Sequence, residues 1–267
     1  MENSAIKNEE RFSSLARVYG EKNLQRLGAA HVCVVGVGGV GSWAVEALAR
    51  SAIGRLTLID GDNISRSNMN RQLHTLESTI GQMKTQVLKQ RVLDINPECD
   101  CRTIDEYLSN DNIFALLKPE DGPGYDCVID AIDRIKYKAL MIYFCKRNKI
   151  PVVTTGGAGG LTDPAQIEVK DLSRTWNDPL AASVRLCLRQ VHNFARNPKR
   201  SFGVPCVYST EQQRYPDKDG KVGYQKPGVA GLSLDCSSGY GSVVNVTASF
   251  GLNAAAKAIE IITMEKS

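Results

Sequence analysis

A chain of 267 residues with 42% hydrophobic and 23% charged side chains has the composition of a globular protein, which excludes disordered, fibrous and collagen-like classes. No uncharged apolar run approaches the ~18 residues of a membrane span, and the polar start Met1–Lys7 lacks an apolar signal core, so a cytoplasmic location is expected. The eight cysteines are spread along the chain without any C-x-x-C, so neither a disulfide framework nor zinc is expected.

In chain order, His31–Gly36 is an almost continuous apolar run and predicts a buried strand. A helix follows, with Val40, Ala44, Ala47 and Leu48 on one face, closing at Gly54. Arg55–Asp60 reads as a second strand, 61–81 as an irregular polar stretch, and Lys84–Ile95 as a helix halted by Asn96-Pro97. Cys101–Ile104 and Asp126–Ala131 predict two more strands, 134–149 a basic helix, and Pro151–Thr155 a fifth strand. Such alternation calls for parallel strands with helices on both faces. After Gly160 the register changes. Ala165–Leu172 alternates like an exposed antiparallel strand, and Leu180–Phe194 predicts an amphipathic helix. Residues 196–231 are rich in Pro, Gly, Lys and Arg, with a hairpin signal at Asp219-Gly220, and Gly241–Met264 predicts a final, mostly apolar helix. The expected fold is α/β, a Rossmann-like doubly wound, mostly parallel sheet with a C-terminal antiparallel and helical extension. Residues 1–160 would form the core, and 161–267 an extension of the same domain.

Between the first strand and its helix, Gly36-Val37-Gly38-Gly39-Val40-Gly41 matches G-x-G-x-x-G. Glycines there let the backbone approach a phosphate, and the helix N-terminus adds N–H groups and a positive dipole. Asp60 ends the second strand, where a carboxylate commonly holds a ribose hydroxyl. Glycines serving only tight strand–helix packing are the bland alternative. A triphosphate needs fixed cations or a metal, and Arg71 and Lys84 follow the Asp60 strand, while Asp130 and Asp133 end a later one. A carboxylate at that edge suits Mg²⁺. Otherwise Arg71 and Lys84 would be surface residues, and Asp133 a helix N-cap.

Charge is uneven. Residues 134–149 hold six basic side chains and no acidic one; 185–226 hold nine against three acidic. Clustered cations suit a polyanion such as RNA, although a solvated helix face and a basic loop would look the same.

The set Gly36–Gly41, Leu58-Ile59-Asp60, Asn68 with Asn70-Arg71-Gln72, Gly81-x-x-Lys84 and Asp130-Ala131-Ile132-Asp133 resembles the ThiF/MoeB and ubiquitin-activating superfamily of ATP-dependent adenylating enzymes over about residues 11–160. Over its full length the chain resembles the bacterial tRNA threonylcarbamoyladenosine dehydratases, through Ala16–Gly20, Val40–Ala44, Arg147–Pro151, Thr154–Gly160, Asp178–Ala182 and Asp235–Gly239. That resemblance implies an ATP-binding adenylation core over 1–160. It implies a tRNA substrate, adenylation of the threonyl carboxylate with loss of pyrophosphate, and ring closure that expels AMP. Gly36, Gly38, Gly39 and Gly41 would cradle the nucleotide, Asp60 would hold the ribose, and Arg71 and Lys84 the phosphates. Asn68 would help position those phosphates, and Asp133 would hold Mg²⁺, with Arg71, Lys84 and Asp133 catalytic. A homodimer is implied in which Arg11 or Arg17 reaches the partner's site, together with a cysteine-desulfurase or sulfur-acceptor system as a partner. Cys236, between Asp235 and Ser237-Ser238-Gly239, is the candidate reactive loop cysteine, although Asp235 opposes thiolate formation. His31 and His192 have no expected chemical role; His74, close to Arg71, is a weaker nucleotide contact. Alternatives are adenylation of a ubiquitin-like or sulfur-carrier protein's C-terminus, an NAD(P)-dependent dehydrogenase, and a non-enzymatic RNA-binding module. The missing C-x-x-C pairs weigh against the first, and the second leaves Arg71, Lys84 and Asp133 without a role.

Overall fold

The computed structural model describes residues 2–118, 124–197, 199–217, 219–225 and 241–264, with side chains from residue 10 onward. Two helices, α1 (Glu2–Tyr19) and α2 (Glu21–Ala29), precede β1 (His31–Val35) and α3 (Gly41–Arg50). Then come β2 (Arg55–Ile59), α4 (Lys84–Ile95), β3 (Asp100–Ile104), the short α5 (Ile113–Leu116), β4 (Cys127–Asp130), α6 (Ile135–Arg147) and β5 (Val152–Thr155). The remainder is β6 (Ile167–Asp171), α7 (Pro179–Val191), β7 (Pro205–Ser209), the hairpin β8 (Tyr215–Pro216) and β9 (Val222–Gly223), and α8 (Val244–Thr263).

Seven strands form one sheet in the order β3-β2-β1-β4-β5-β7-β6, parallel throughout except for the β6–β7 pair. The order reverses between β1 and β4, where doubly wound sheets bind ligands beyond their carboxyl ends. β1 is buried at every position because both its faces are covered. Val32 and Val34 pack with Leu48, Leu88 and Phe250 under α3, α4 and α8; Cys33 and Val35 pack with Ile142, Leu188 and Tyr208 under α6 and α7. At the edge, Ile-Glu-Val-Lys-Asp in β6 alternates as expected, with Glu168 and Lys170 paired at 2.5 Å.

Four local expectations change. α3 stops at Arg50 and turns through Ala52 at φ +59°, four residues before Gly54 could close it. The cap position of α6 is Arg134, one residue beyond Asp133, which removes the N-cap reading of Asp133. The basic stretch 196–231 contains β7, a core strand with only its first residue partly exposed. Lys138, counted among the surface cations of the basic helix, is 1% exposed. Among the described residues no helix is long and apolar enough to cross a membrane. Cys33, Cys99, Cys101, Cys127, Cys145 and Cys206 are buried, and burial pushes their thiols up, to about 12 for Cys99, Cys101 and Cys127. They act as small hydrophobes.

Candidate active site

The turn from β1 into α3 is wound as tightly as a backbone allows. Gly36 sits at φ +81°, and a Cβ there would lie 2.8 Å from the Ile132 side chain. A Cβ on Gly41 would fall 1.8 Å from the Gly36 carbonyl oxygen. No side chain caps the N-terminus of α3; its Ser42 N–H turns back to the Gly38 carbonyl at 3.1 Å, and the helix end faces the space in front of the glycines. The backbone thus forms a tight glycine turn of the kind that can cradle a phosphate.

Asp60 stands beside this turn at the end of β2. One carboxylate oxygen accepts the Val37 N–H at 2.8 Å, and the other accepts the Asp62 N–H at 2.9 Å. Each oxygen keeps a lone pair for a hydroxyl donor. Burial pushes the Asp60 carboxyl up, and Lys84 partly reverses this. Asp62, which sequence reasoning missed, holds Lys84: its carboxylate lies 2.6 Å from Nζ, and Lys84 is only 4% exposed. Burial alone would raise Asp62, but the Lys84 ammonium and the Tyr107 hydroxyl hold its carboxyl below the usual range. The Arg134 guanidinium lies 5.7 Å from the centre of the Tyr107 ring, which ties the loop after β4 to this cluster.

The irregular stretch after β2 positions Arg71 and Asn68. Asn68 accepts the Ser65 N–H at 3.1 Å, closing a short helical turn, and Arg71 donates to Ser67 O and Asn70 Oδ1 at 2.8 and 2.9 Å. The Arg71 carbonyl accepts from Trp43 of α3 at 3.1 Å, and its side chain lies 3.2 Å from where a Cβ on Gly39 would be. Arg71 therefore borders the glycine turn. His74 and the Gln72 Oε1 atom are buried nearby without hydrogen-bond partners among the described residues, and burial pushes His74 down to about 4, so its ring is neutral.

On the other side of the switch point, Asp130 is fully buried against Lys138 Nζ at 3.0 Å and accepts from Thr154 Oγ1 at 2.6 Å. Burial pushes its carboxyl up, and the Lys138 ammonium opposes that. Lys138 also donates to the carbonyls of Asp130 and Ile132 at 3.2 and 3.0 Å, fixing the chain that leads to the exposed Asp133. Cradle, Asp60, Lys84, Arg71 and Asp133 thus lie along one carboxyl edge of the sheet.

The model of the ThiF family matches residues 12–267. The chain belongs to the ThiF family. It is 48% identical over 259 residues to the tRNA threonylcarbamoyladenosine dehydratase of Haemophilus influenzae, covering 97% of this chain and 95% of that one. A solved structure of TcdA (CsdL) superposes with a TM-score of 0.85 at 45% identity, covering 95% and 94% of the two chains. The Escherichia coli tRNA N6-threonylcarbamoyladenosine dehydratase, TcdA, in complex with ATP superposes with a TM-score of 0.82 at 44% identity over the same shares.

In this ThiF-family chain, Arg11 and Arg17 are both exposed on α1. Six residues apart, they point roughly 120° from each other around the helix, so they face different neighbours. Cys236 lies outside the described residues. Asp62 had a sequence signal in Asp60-Gly61-Asp62, a second carboxylate at the same strand end; Tyr107 and Lys138 had none.

Proposed function

We propose that this chain is the ATP-dependent enzyme that dehydrates threonylcarbamoyladenosine beside the anticodon of tRNA, releasing AMP and pyrophosphate. One observation carries the reading. A backbone phosphate cradle, two cations and a carboxylate share one sheet edge in a chain similar over nearly its whole length to a tRNA threonylcarbamoyladenosine dehydratase.

ATP fits this edge. The uncapped α3 N-terminus and the glycine turn would receive phosphate, Asp60 would accept the ribose hydroxyls on its remaining lone pairs, and Arg71 and Lys84 would neutralise the phosphates. Asn68, by closing the turn that carries Arg71, would position it. Mg²⁺ would be held by Asp133 with phosphate oxygens and water. This suits a cation that needs only one or two carboxylates, and no cage of three or more His, Cys, Asp or Glu exists among the described residues. It would supply charge neutralisation at the phosphates.

The threonyl carboxylate attacks the α-phosphorus of ATP; a P–O bond forms and the bond to pyrophosphate breaks. The carbamoyl group then attacks the activated carbonyl, a proton leaves it, and AMP departs with the carboxylate oxygen. The nucleoside has lost one water, whose oxygen ends in AMP. Either Arg11 or Arg17 of a second copy would complete the phosphate site, making the homodimer the working unit. A sulfur-acceptor system remains a proposed partner, and the solved TcdA carries the second name CsdL.

The test is mass spectrometry of mildly digested nucleosides from threonylcarbamoyladenosine-bearing tRNA incubated with protein, ATP and Mg²⁺. Loss of one water with ATP-dependent AMP release is expected, and Lys84→Ala or Asp133→Ala should abolish both. An unchanged nucleoside with intact ATP binding would move the acceptor to a protein C-terminus.

A further inference from the structure

A cavity of about 560 Å³ opens on the same carboxyl edge, within the size range of small-molecule sites. It lies where the chain leaves β5 and β7. β5 pairs with β4 through Asp130↔Thr154, and β7 pairs with β5, all three parallel. One strand spacing, roughly 5 Å, therefore separates the β5 side of this cavity from the end of β4 that carries Asp130 and Asp133, and two spacings separate its β7 side. Its floor is cross-braced: Gly157 donates to Asp178 at 2.9 Å, Arg214 N donates to Gly160 O at 2.8 Å, and Gln213 donates to Gly159 O at 3.1 Å.

The chemistry of its wall is specific. Tyr215 is buried and Tyr224 is 55% exposed. The Arg214 guanidinium backs the Tyr224 ring at 6.0 Å from its centre, leaving an aromatic face supported by a cation. Arg185, half-buried on α7, is held by Thr175 and by the Leu172 carbonyl. At the rim stand two exposed amides, Asn177 and Gln212. Stacking surface, guanidinium and side-chain amides are the groups that read a base splayed out of an RNA loop. A purely aliphatic ligand would leave the guanidinium and the amides of this set unused. Asp178 caps the N-terminus of α7 through Ala181 N at 2.8 Å, so a phosphate at that helix end would meet a carboxylate instead of free N–H groups.

We propose that this cavity receives the extruded adenine ring of the modified nucleoside, stacked on Tyr224 and contacted at its edges by Asn177 and Gln212. This rests on the dehydratase reading, because the carboxylate must reach the nucleotide while its base stays bound. A threonylcarbamoyl arm spans little more than one residue, about 5 Å, so the base must dock within about one strand spacing of the adenylation site. The cavity wall comes that near, because its Asp178 is bonded to Gly157 just beyond β5, the strand next to β4. Lys138, which fixes the loop leading to Asp133, also acts electrostatically on Asp178 in the cavity wall, so the two sites are neighbours.

Tyr224→Ala, Tyr224→Phe and Gln212→Ala change exposed side chains and are compared with the unaltered protein. The readouts are KM for threonylcarbamoyladenosine-bearing tRNA, KM for ATP, thermal midpoint, and direct titration with free threonylcarbamoyladenosine nucleoside. Loss of one stacking partner should raise KM for tRNA and weaken nucleoside binding by roughly tenfold or more. KM for ATP and the midpoint should stay unchanged, and Tyr224→Phe should behave as the unaltered protein. If the unaltered protein converts tRNA and Tyr224→Ala converts it with the same KM, the cavity assignment is overturned and the dehydratase reading stands. If the unaltered protein converts nothing, the dehydratase reading falls and the titration decides. Nucleoside binding that Tyr224→Ala abolishes keeps the base site; binding that is absent or indifferent to Tyr224 removes it.

Discussion

Lys84 shows how a single charge is prepared for work. At 4% exposure it would be costly to ionise alone, and Asp62 at 2.6 Å supplies the compensation while the Tyr107 hydroxyl steadies Asp62. Removing that anion leaves a poorly compensated buried cation, so Asp62→Asn should lower stability by about 1–3 kcal/mol and raise KM for ATP. Chemical denaturation and ATP titration of the same variant check both; an unchanged KM would mean that Lys84 does not meet the nucleotide. Two histidines give the fold an acid sensitivity. Burial pushes His31 and His74 down to about 4, in each case aided by nearby cations, Arg55 and Lys84 respectively. The folded state thus prefers both rings neutral. Their contribution is complete above the unfolded value near 6.5 and is lost as pH falls through 4. The denaturation midpoint should decline across that window, and His74→Leu should flatten part of the decline at little cost at neutral pH, since neither ring nitrogen has a partner among the described residues. Asp171 acts lower on the scale. Burial would raise it, but Ser173, Ser201, Phe202 and Val204 donate to it and hold it at about 2. Its contribution is complete above about 4 and disappears as pH falls through 2, a loss that Asp171→Asn should not show.

At the scale of elements, the contact between α8 and α3 decides how the glycine turn is held. A Cβ on Gly251 of α8 would lie 2.3 Å from the Val40 carbonyl oxygen and 2.8 Å from Trp43 Cβ, at the cap of the helix proposed to receive phosphate. Gly251→Ala should therefore cost about 1–3 kcal/mol and weaken ATP binding at the same time. A loss of stability with unchanged ATP affinity would show that the cradle is independent of α8. β7 illustrates how context makes a strand. Pro205-Cys206-Val207-Tyr208-Ser209 is a short apolar run inside a stretch dominated by Lys, Arg, Pro and Gly, and its composition reads as loop. β5 offers it a parallel edge and β6 an antiparallel one, and burying Val207 and Tyr208 on opposite faces settles the conformation.

The whole molecule joins what the chain keeps apart. α6 and α7 pack side by side through Ile142, Cys145, Val184 and Leu188, so the basic segments 134–149 and 185–200 occupy adjoining surface. Lys136, Lys146, Arg147, Lys149, Arg196, Lys199 and Arg200 are exposed there, and Lys138 is withdrawn into the Asp130 pair. Phosphate contacts release counterions, so tRNA affinity should fall linearly on a log–log salt plot. Lys136→Ala with Arg147→Ala should reduce that slope by roughly 1–2 and leave ATP affinity unchanged. A salt-independent tRNA affinity would remove this face from the tRNA interface.

The sequence by itself determined the strand–helix alternation, the glycine turn and the carboxylate at the end of β2. These features depend on hydrophobic period and local backbone sterics, which neighbouring residues carry. Residue type and offset from a strand end sufficed to single out Arg71, Lys84 and Asp133 as candidates for a cation or carboxylate near phosphate. Only the tertiary structure decided that Asp62 belongs to Lys84, that Lys138 is a buried brace, and that β7 completes the sheet. The partners lie 22 residues apart in the first case and eight in the second, and it is the parallel register and the covering helices that make them meet. Desolvation turned those meetings into ion pairs, because a buried charge must find its counter-charge wherever the fold has placed one.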